Sequence, residues 1–229
     1  MTREYRYELK FVINKQLGYF LKNQLSYIMD YDPNSLSREK SYFIRSLYFD
    51  DLVNTALREK VDGVEFRTKY RIRFYNFDPS RGIRLECKQK AESFTTKSSI
   101  AIDEMMIHKI VNNDIYDIPL DNDNLLSRFL VDKRYHNLVP TVIVDYDRLA
   151  FTYPLSDVRI TFDEDIRSGV YNHDLFDRSA IGIPVLDSHQ SVMEVKFNEF
   201  LPESLMLILD TVPKFRVAIS KFAFSCMLK

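Results

Sequence analysis

The 229-residue sequence has few of the residues that usually hold structural metals or form disulfides. It contains two cysteines, Cys87 and Cys226, and four scattered histidines. The cysteines do not form a CxxC pair and have no histidine near them in the sequence, which excludes the usual spacing of a structural zinc site. We therefore interpret both cysteines as small apolar residues of the core.

A long apolar segment is also missing. No stretch approaches the ~18 to 20 consecutive apolar residues that cross a bilayer. The first ten residues, MTREYRYELK, are too charged for a secretory signal. We therefore expect a cytoplasmic protein without a membrane span of its own.

The sequence carries almost no net charge. Its formal charge is −1, so the chain as a whole is not attracted to nucleic acid or to anionic membranes. Any anion-binding site must then arise from local segregation of charge. The composition, 45% hydrophobic and 28% charged, is that of an ordinary globular protein without linkers or repeats, and we predict a single domain over residues 1–229.

Local segregation of charge is strongest in the segment 69–90, KYRIRFYNFDPSRGIRLECKQK. The proline and glycine of 78–82 predict a turn between two strands. Side chains alternate between the faces of a strand, which puts most of the charged residues on one face of this hairpin. Crowded cations repel one another unless an anion lies between them. The hairpin therefore predicts a site for a polyanion. The charged face comprises Lys69, Arg71, Arg73, Arg84, Glu86, Lys88 and Lys90.

Strands and helices are predicted on both sides of this hairpin. Asn14 and Asp103 are candidate N-caps of helices, and 122–135 has a helical apolar stripe. Further strands are predicted at 3–13, 41–50, 95–102, 140–151, 158–163 and 192–198.

On the charged faces of these strands, basic residues outnumber acidic ones. This pattern favours an α+β fold in which a closed or strongly curved antiparallel sheet has a polar lining and an apolar outer face covered by helices. An open sheet with one solvated face produces similar alternation and is the alternative at this point. Asp145 and Asp147, on the strand face opposite Tyr146 and Arg148, depart from the pattern.

Nine short motifs, taken in order, resemble the VTC domain, the polyphosphate polymerase domain of the vacuolar transporter chaperone complex, and through it the triphosphate tunnel metalloenzymes of the CYTH-like superfamily. The resemblance covers nearly the whole chain. The motifs are ELK at 8–10, SLYFD at 46–50, RIRFY at 71–75, LECKQK at 85–90, the lysine at 97, YDRLAF at 146–151, RITFD at 159–163, MEVKF at 193–197 and SKF at 220–222.

This resemblance implies an antiparallel β-barrel tunnel of about eight strands with surrounding helices. It also implies that basic side chains hold a triphosphate or polyphosphate, while acidic side chains bind Mn²⁺ or Mg²⁺. The implied catalytic residues are Arg71, Arg73, Lys88, Arg148 and Lys221. The implied substrate-binding residues are Lys10, Lys97, Tyr146, Arg159 and Lys196. The implied metal ligands are Glu194, Glu8 and Glu86, with Glu194 as the main one.

The implied activity is that of a phosphotransferase that moves the γ-phosphoryl group of ATP onto polyphosphate. Many tunnel triphosphatases begin with an ExExK strand, but here Arg6 replaces the first glutamate, which favours the VTC-like activity. The chain is then expected to be a freestanding domain, and a membrane-protein partner is left open.

Two alternatives remain. One is a tunnel triphosphatase in which Glu8 or Glu86 positions the attacking water. The other is a polyphosphate or nucleotide sensor without turnover, which Glu194 disfavours because a pure anion receptor has less use for a metal-binding carboxylate. A separate alternative for Glu194 is an ion pair with a neighbouring arginine. Nucleic acid is not an expected partner, because most aromatic residues lie on the face opposite the basic ones.

Overall fold

The computed structural model describes residues 7–35, 41–92, 94–121, 124–169, 172–213 and 220–228, so that Arg6 lies outside the described residues. The strands are β1 (Tyr7–Asn14), β2 (Asp30–Tyr31), β3 (Tyr42–Asp50), β4 (Arg67–Tyr75), β5 (Ile83–Ala91), β6 (Phe94–Ile102), β7 (Val139–Thr152), β8 (Arg159–Gly169), β9 (Ile183–Pro184) and β10 (Gln190–Phe197). The α-helices are α1 (Lys15–Leu25), α2 (Thr55–Val61), α3 (Glu104–Val111), α4 (Leu125–His136), α5 (Glu203–Leu209) and α6 (Lys221–Cys226).

The predicted hairpin is formed by β4 and β5, which pair antiparallel with Arg71 opposite Glu86. Its turn contains a short 3₁₀ helix, Pro79–Arg81. The side chain of Asp78 accepts a hydrogen bond from the backbone N–H of Ser80 at 3.0 Å. Gly82 has a φ of 83°, a conformation that favours glycine because other residues have a Cβ atom. The turn residues thus set the register that aligns the charged face.

Three helices begin at side-chain caps. The predicted N-caps Asn14 and Asp103 accept hydrogen bonds from the third residue after each of them, at 2.7 Å in both cases. Asn124 caps α4 in the same way, at 2.9 Å. Such caps satisfy backbone N–H groups that the first helical turn leaves without partners. The helix predicted over 122–135 therefore begins at Leu125.

The strands form one sheet in the order β1-β10-β8-β7-β3-β4-β5-β6, with β2 paired to β7 and β9 paired to β8. The α+β class and the antiparallel sheet with surrounding helices are confirmed. Eight strands lie along the main path, as expected. The path ends at β1 and β6, and no pairing between these two strands is found within the described residues.

The chain divides into two compact units. Unit 1 comprises Met1–Phe43, Tyr146–Arg167 and Pro184–Ser220, and unit 2 comprises Ile44–Asp145, Ser168–Ile183 and Lys221–Lys229. The prediction of a single domain is not decided by this division and stays a prediction.

Each unit has its own apolar core. In unit 1 the core residues of β8 and β10, such as Phe162 and Val195, pack with Leu21 of α1 and Leu205 of α5. In unit 2 the corresponding face of β3, β4 and β5 packs with α3 and α4, where Phe129 is fully buried. Helices therefore cover the apolar face in both units, as the alternation predicted.

The two cysteines are buried and do not form a disulfide. Cys87 belongs to the core of unit 2, in agreement with its interpretation as a small apolar residue. None of the helices within the described residues has the length and the apolar character that crossing a membrane requires.

A buried ion pair explains why Asp145 departs from the alternating pattern. Arg45 of β3 donates two hydrogen bonds to the Asp145 carboxylate, from Nε at 2.9 Å and from Nη2 at 2.7 Å. Arg45 Nη1 also donates to the carbonyl oxygens of Leu175 and Asp177. The aspartate is tolerated inside unit 2 because a bidentate arginine neutralises it.

The two faces of α1 provide a test of this packing. Leu21 is 0% exposed and Tyr19 is 70% exposed. We expect Leu21→Ala to lower the free energy of unfolding by about 2 to 5 kcal/mol, because it leaves a cavity in the core. Tyr19→Ala should change it by less than about 0.5 kcal/mol. Urea denaturation followed by circular dichroism measures both, and equal losses would contradict the assignment of the buried face.

Candidate functional site

The charged side chains of unit 2 lie in rows across neighbouring strands. One row contains Tyr48 of β3, Arg71 of β4 and Glu86 of β5. Because directly opposite residues of antiparallel strands share a face, their side chains stand next to one another. The predicted polar face of the hairpin is therefore present, and β3 extends it by one strand.

Glu86 is the centre of this face. Its side chain is 4% exposed, and its carboxylate accepts a hydrogen bond from Arg71 Nε at 2.6 Å. Lys97 Nζ lies 2.6 Å from the other carboxylate oxygen, and Arg73 Nη1 lies 3.9 Å away. Three cations thus converge on one carboxylate. We call these four residues the Glu86 cluster.

Burial acts to raise the pKa of Glu86, but attraction to Arg71, Arg73 and Lys97 outweighs it and lowers the pKa to about 2. The carboxylate is therefore ionised throughout the physiological range. It offsets one of three positive charges, so the cluster keeps a net positive charge that suits an anion.

Tyr48 supports Arg71 on this face. Its hydroxyl accepts a hydrogen bond from Arg71 Nη1 at 2.9 Å, and its ring packs on Phe222 of α6 at 5.1 Å. Burial acts to raise the pKa of Tyr48, but the positive charges of Arg71, Arg73 and Lys221 outweigh it and lower the pKa. Lys221 therefore lies within electrostatic reach of the Tyr48 hydroxyl. The sequence analysis did not assign a role to Tyr48, although Tyr48 belongs to SLYFD, one of the nine motifs of the resemblance.

Arg73 is buried, and its orientation is fixed by a second side chain. Its Nε donates a hydrogen bond to Ser46 Oγ at 3.0 Å, and Ser46 lies directly opposite Arg73 in the pairing of β3 with β4. A buried guanidinium held in this way loses little conformational entropy when it binds an oxyanion.

Three lysines form the neighbouring row, Lys69 of β4, Lys88 of β5 and Lys97 of β6. The Lys69 ammonium lies 4.5 Å from the centre of the Phe222 ring. Burial, together with the charges of nearby cations, lowers the pKa of Lys69 to about 7. Lys69 was part of the predicted basic face but had no assigned role, because its burial depends on packing against α6.

In unit 1 a second polar face crosses β1, β10 and β8. Glu8, Lys196 and Arg159 form one row, and Lys10, Glu194 and Thr161 form the next. Charges alternate along β1 and β10 and across the pair that they form, whereas Lys196 of β10 lies opposite a second cation, Arg159 of β8. This face gathers five of the predicted site residues, namely Glu8, Lys10, Arg159, Glu194 and Lys196.

Glu8 and Glu194 each contact a lysine on the same strand. Glu8 lies 2.6 Å from Lys10 Nζ, and Glu194 lies 3.0 Å from Lys196 Nζ. Glu194 thus forms an ion pair with Lys196. Glu8 and Glu194 occupy adjacent rows of paired strands, so their carboxylates are diagonal neighbours.

Arg148 and Tyr146 lie together on β7, as their spacing predicted. Arg148 binds Asp163 of β8 through two hydrogen bonds, 2.6 Å from Nε and 2.7 Å from Nη2, and the pair is buried. The guanidinium lies 5.2 Å from the centre of the Tyr146 ring. Burial acts to lower the pKa of Arg148, but Asp163 outweighs it and raises the pKa further above its usual value. Arg148 is a fixed positive charge at any working pH.

Arg159 is oriented by two residues that the sequence did not single out. Its Nη2 donates to Asp32 Oδ2 at 2.9 Å and to the Tyr42 hydroxyl at 3.3 Å. Burial acts to raise the pKa of Asp32, but hydrogen bonds from Asn34 and the charge of Arg159 lower it. Asp32 lies 127 residues from Arg159 in the chain, so no local pattern pairs them.

The described residues contain no group of three or more histidine, cysteine, aspartate or glutamate side chains arranged to hold a metal ion. Mg²⁺ commonly uses one or two carboxylates and takes its other ligands from water and substrate phosphates. Glu194 and Glu8 fit such a partial set. Glu86 fits it less well, because three cations already surround its carboxylate.

A family comparison agrees with this arrangement of strands and charges. The model of the VTC domain matches residues 5–228. The chain belongs to the VTC domain family. The family that the nine motifs predicted is therefore confirmed. No curated protein matches its sequence.

Solved structures show the same fold at low sequence identity. A proposed adenylate cyclase from Bacillus halodurans is 16% identical to this VTC domain, with a TM-score of 0.56, over 95% of this chain and 94% of that chain. A protein from Pyrococcus horikoshii is 12% identical, with a TM-score of 0.50, over 98% of this chain and 100% of that chain. The roles assigned to the individual site residues stay predictions.

The low pKa of Glu86 predicts how stability depends on pH. A lowered pKa in the folded state adds stability above the unfolded value of 4.5, and this stability is lost as the pH falls towards 2. The shift corresponds to about 3 kcal/mol. Glu86→Gln should lose a comparable amount at pH 7, because it removes the negative charge that three cations contact.

Urea denaturation of wild type and Glu86→Gln at pH 3, 5 and 7 measures this effect. The difference between the two proteins should shrink at pH 3. Asp117→Asn is the control, because its ion pair with Lys109 is on the surface, and its stability should stay close to wild type. A constant difference at all three pH values would rule out the assigned pKa.

Proposed function

We propose that this VTC domain is a metal-dependent phosphotransferase that moves the γ-phosphoryl group of ATP onto a polyphosphate chain. Membership of the VTC domain family supports this function. The structural observation that supports it most is the Glu86 cluster, in which two arginines and a lysine surround one carboxylate. The excess positive charge of the cluster suits an anionic ligand.

The chemistry of the cluster suits a triphosphate. Arginine offers planar, paired N–H groups to phosphate oxygens, and lysine offers a compact charge. Arg71 and Arg73 are preorganised by Tyr48 and Ser46, so binding does not require them to reorient. In phosphoryl transfer, catalysis rests mainly on positioning and on neutralising the charge of the transferring group. We assign Arg71 and Arg73 to orientation, and Lys88 and Lys221 to neutralisation.

The proposed reaction balances without a general base. An oxygen of the terminal polyphosphate unit attacks the γ-phosphorus of ATP and forms a new P–O–P bond. The bond between the γ-phosphorus and the β–γ bridging oxygen breaks, and ADP leaves with the electron pair. The attacking phosphate is already ionised at neutral pH, so no proton has to be removed.

The polar face of unit 1 carries further residues that the resemblance predicted for substrate and metal binding. Arg148, Arg159, Lys10 and Lys196 add positive charge, and Tyr146 supports Arg148. Glu194 and Glu8 would hold the Mn²⁺ or Mg²⁺ ion. When bound, such an ion neutralises phosphate charge and helps to align the phosphoryl groups. Lys10 and Lys196 would then exchange their carboxylate partners for phosphate oxygens.

The triphosphatase alternative is weakened by the state of Glu86. A group that positions and activates water has to accept a proton, and the pKa of Glu86, about 2, makes it a poor acceptor. Glu8 remains the candidate for that role. The sensor alternative requires the same cations but no turnover. The products formed from ATP distinguish the three functions, because the transferase forms polyphosphate, the triphosphatase forms orthophosphate and the sensor forms no product.

A first experiment follows ATP by ³¹P NMR, with Mn²⁺ or Mg²⁺ and with or without a short polyphosphate primer. We expect resonances of internal phosphates to grow together with ADP. Orthophosphate as the only new product would replace the proposal by the triphosphatase. Tight polyphosphate binding without turnover would replace it by the sensor.

Arg71→Ala tests the Glu86 cluster in the same assay. It removes the guanidinium, yet Glu86 keeps contacts with Arg73 and Lys97, so the fold should be retained. We expect ATP turnover to fall by about a hundredfold or more, because a preorganised charge contact is lost. Arg58→Ala is the matched control, because Arg58 is an exposed arginine of α2. Equal activity in the two variants would refute the role of the cluster.

A further inference from the structure

Thr161 is an unusual residue of the polar face of unit 1. It is 2% exposed, and its hydroxyl Oγ1 has no hydrogen-bond partner among the residues that the structure describes. Burying a hydroxyl without a partner costs stability, and such groups are rare in folded proteins. Thr141, which is equally buried, satisfies its hydroxyl by donating to the Val139 carbonyl at 3.1 Å. The state of Thr161 therefore requires an explanation.

The position of Thr161 suggests one. It lies directly opposite Glu194 in the pairing of β8 with β10, and Lys10 lies on the other side of Glu194. Opposite residues have Cβ atoms about 4.5 to 5.5 Å apart. The hydroxyl is therefore within reach of an ion held by the Glu194 carboxylate.

The other buried polar atoms without partners do not share this position. Within the described residues they are Arg134 Nε, Ser191 Oγ and Ser225 Oγ. Ser191 lies on the opposite face of β10, in register with Ile13, while Arg134 and Ser225 lie on α4 and α6. Of this group, Thr161 is the one that lies opposite a carboxylate.

The remaining carboxylate of this face is already engaged. Asp163, two residues after Thr161, is fully buried and bound by Arg148 through two hydrogen bonds. It is therefore a poor ligand for an added ion. The oxygen donors that suit a hard divalent cation are those of Glu194, Glu8 and Thr161.

We propose that the Thr161 hydroxyl is a ligand of the divalent cation that Glu194 binds. In other phosphoryl-transfer sites, a serine or threonine hydroxyl binds Mg²⁺ together with carboxylate and phosphate oxygens. The inference rests on the proposed function only in that a divalent cation takes part in it. The Thr161 hydroxyl would then lack a hydrogen-bond partner in the metal-free protein because its position suits metal binding.

The test compares Thr161→Val with Thr161→Ser in titrations with Mn²⁺ alone. The electron paramagnetic resonance signal of Mn²⁺ in solution reports how much ion remains unbound. Thr161→Val keeps the shape of the side chain but removes the oxygen, and we expect Mn²⁺ affinity to fall by about tenfold. Thr161→Ser keeps the oxygen and should stay within about twofold of wild type.

Thermal denaturation of the metal-free proteins gives a second readout. Thr161→Val should be at least as stable as wild type, because the buried hydroxyl without a partner is gone. A variant that binds Mn²⁺ less well while being no less stable cannot owe its defect to misfolding.

Glu194→Gln, titrated in parallel, separates failure of this inference from failure of the proposed function. Loss of Mn²⁺ binding in Glu194→Gln with full binding in Thr161→Val would overturn the role of Thr161 and leave the metal site intact. Full binding in both variants would overturn the inference together with the assignment of Glu194. Equal losses in Thr161→Val and Thr161→Ser would also overturn it, since the serine retains the oxygen.

Discussion

Charge compensation around Glu86 is the interaction on which the polar face of unit 2 depends. Arg71, Arg73 and Lys97 would repel one another if they shared this face without a carboxylate. One buried glutamate reduces that repulsion but does not cancel the charge. The face is thus stable enough to form and still positive enough to attract an anion. Stability favours more acidic residues on this face, because they reduce repulsion between the cations, whereas anion binding favours fewer. A single glutamate satisfies both conditions.

Unit 1 satisfies the same constraint in another way. There each carboxylate of the β1 and β10 pair contacts a lysine of its own strand, whereas Arg148 has its own buried aspartate, Asp163. The side chains of both lysines are 26% exposed, so their ammonium groups can exchange partners at a smaller cost than a buried cation. The buried pair of Arg148 is costly to break. The lysines are therefore suited to move between carboxylate and phosphate, while Arg148 is suited to remain in place.

The residues that the sequence missed share one property, which is that distant parts of the chain define them. Tyr48 matters because β3 aligns it with Arg71, and Asp32 matters because it meets Arg159. Lys69 is shifted in pKa because α6 brings Phe222 over it. Thr161 is an ordinary residue in a strand until the pairing with β10 places it opposite Glu194. Local patterns do not contain these contacts.

The sequence by itself determined the alternating faces of the strands, the turn at Gly82 and the helix starts at Asn14 and Asp103, because each of these depends on residues that are close together in the chain. It also determined the family, because the family is recognised from short motifs in a fixed order. It also determined which faces would be basic. Only the tertiary structure decided which carboxylate neutralises which cation. Those pairings follow from strand register and helix packing, which join residues far apart in the chain and leave no periodic signal in it.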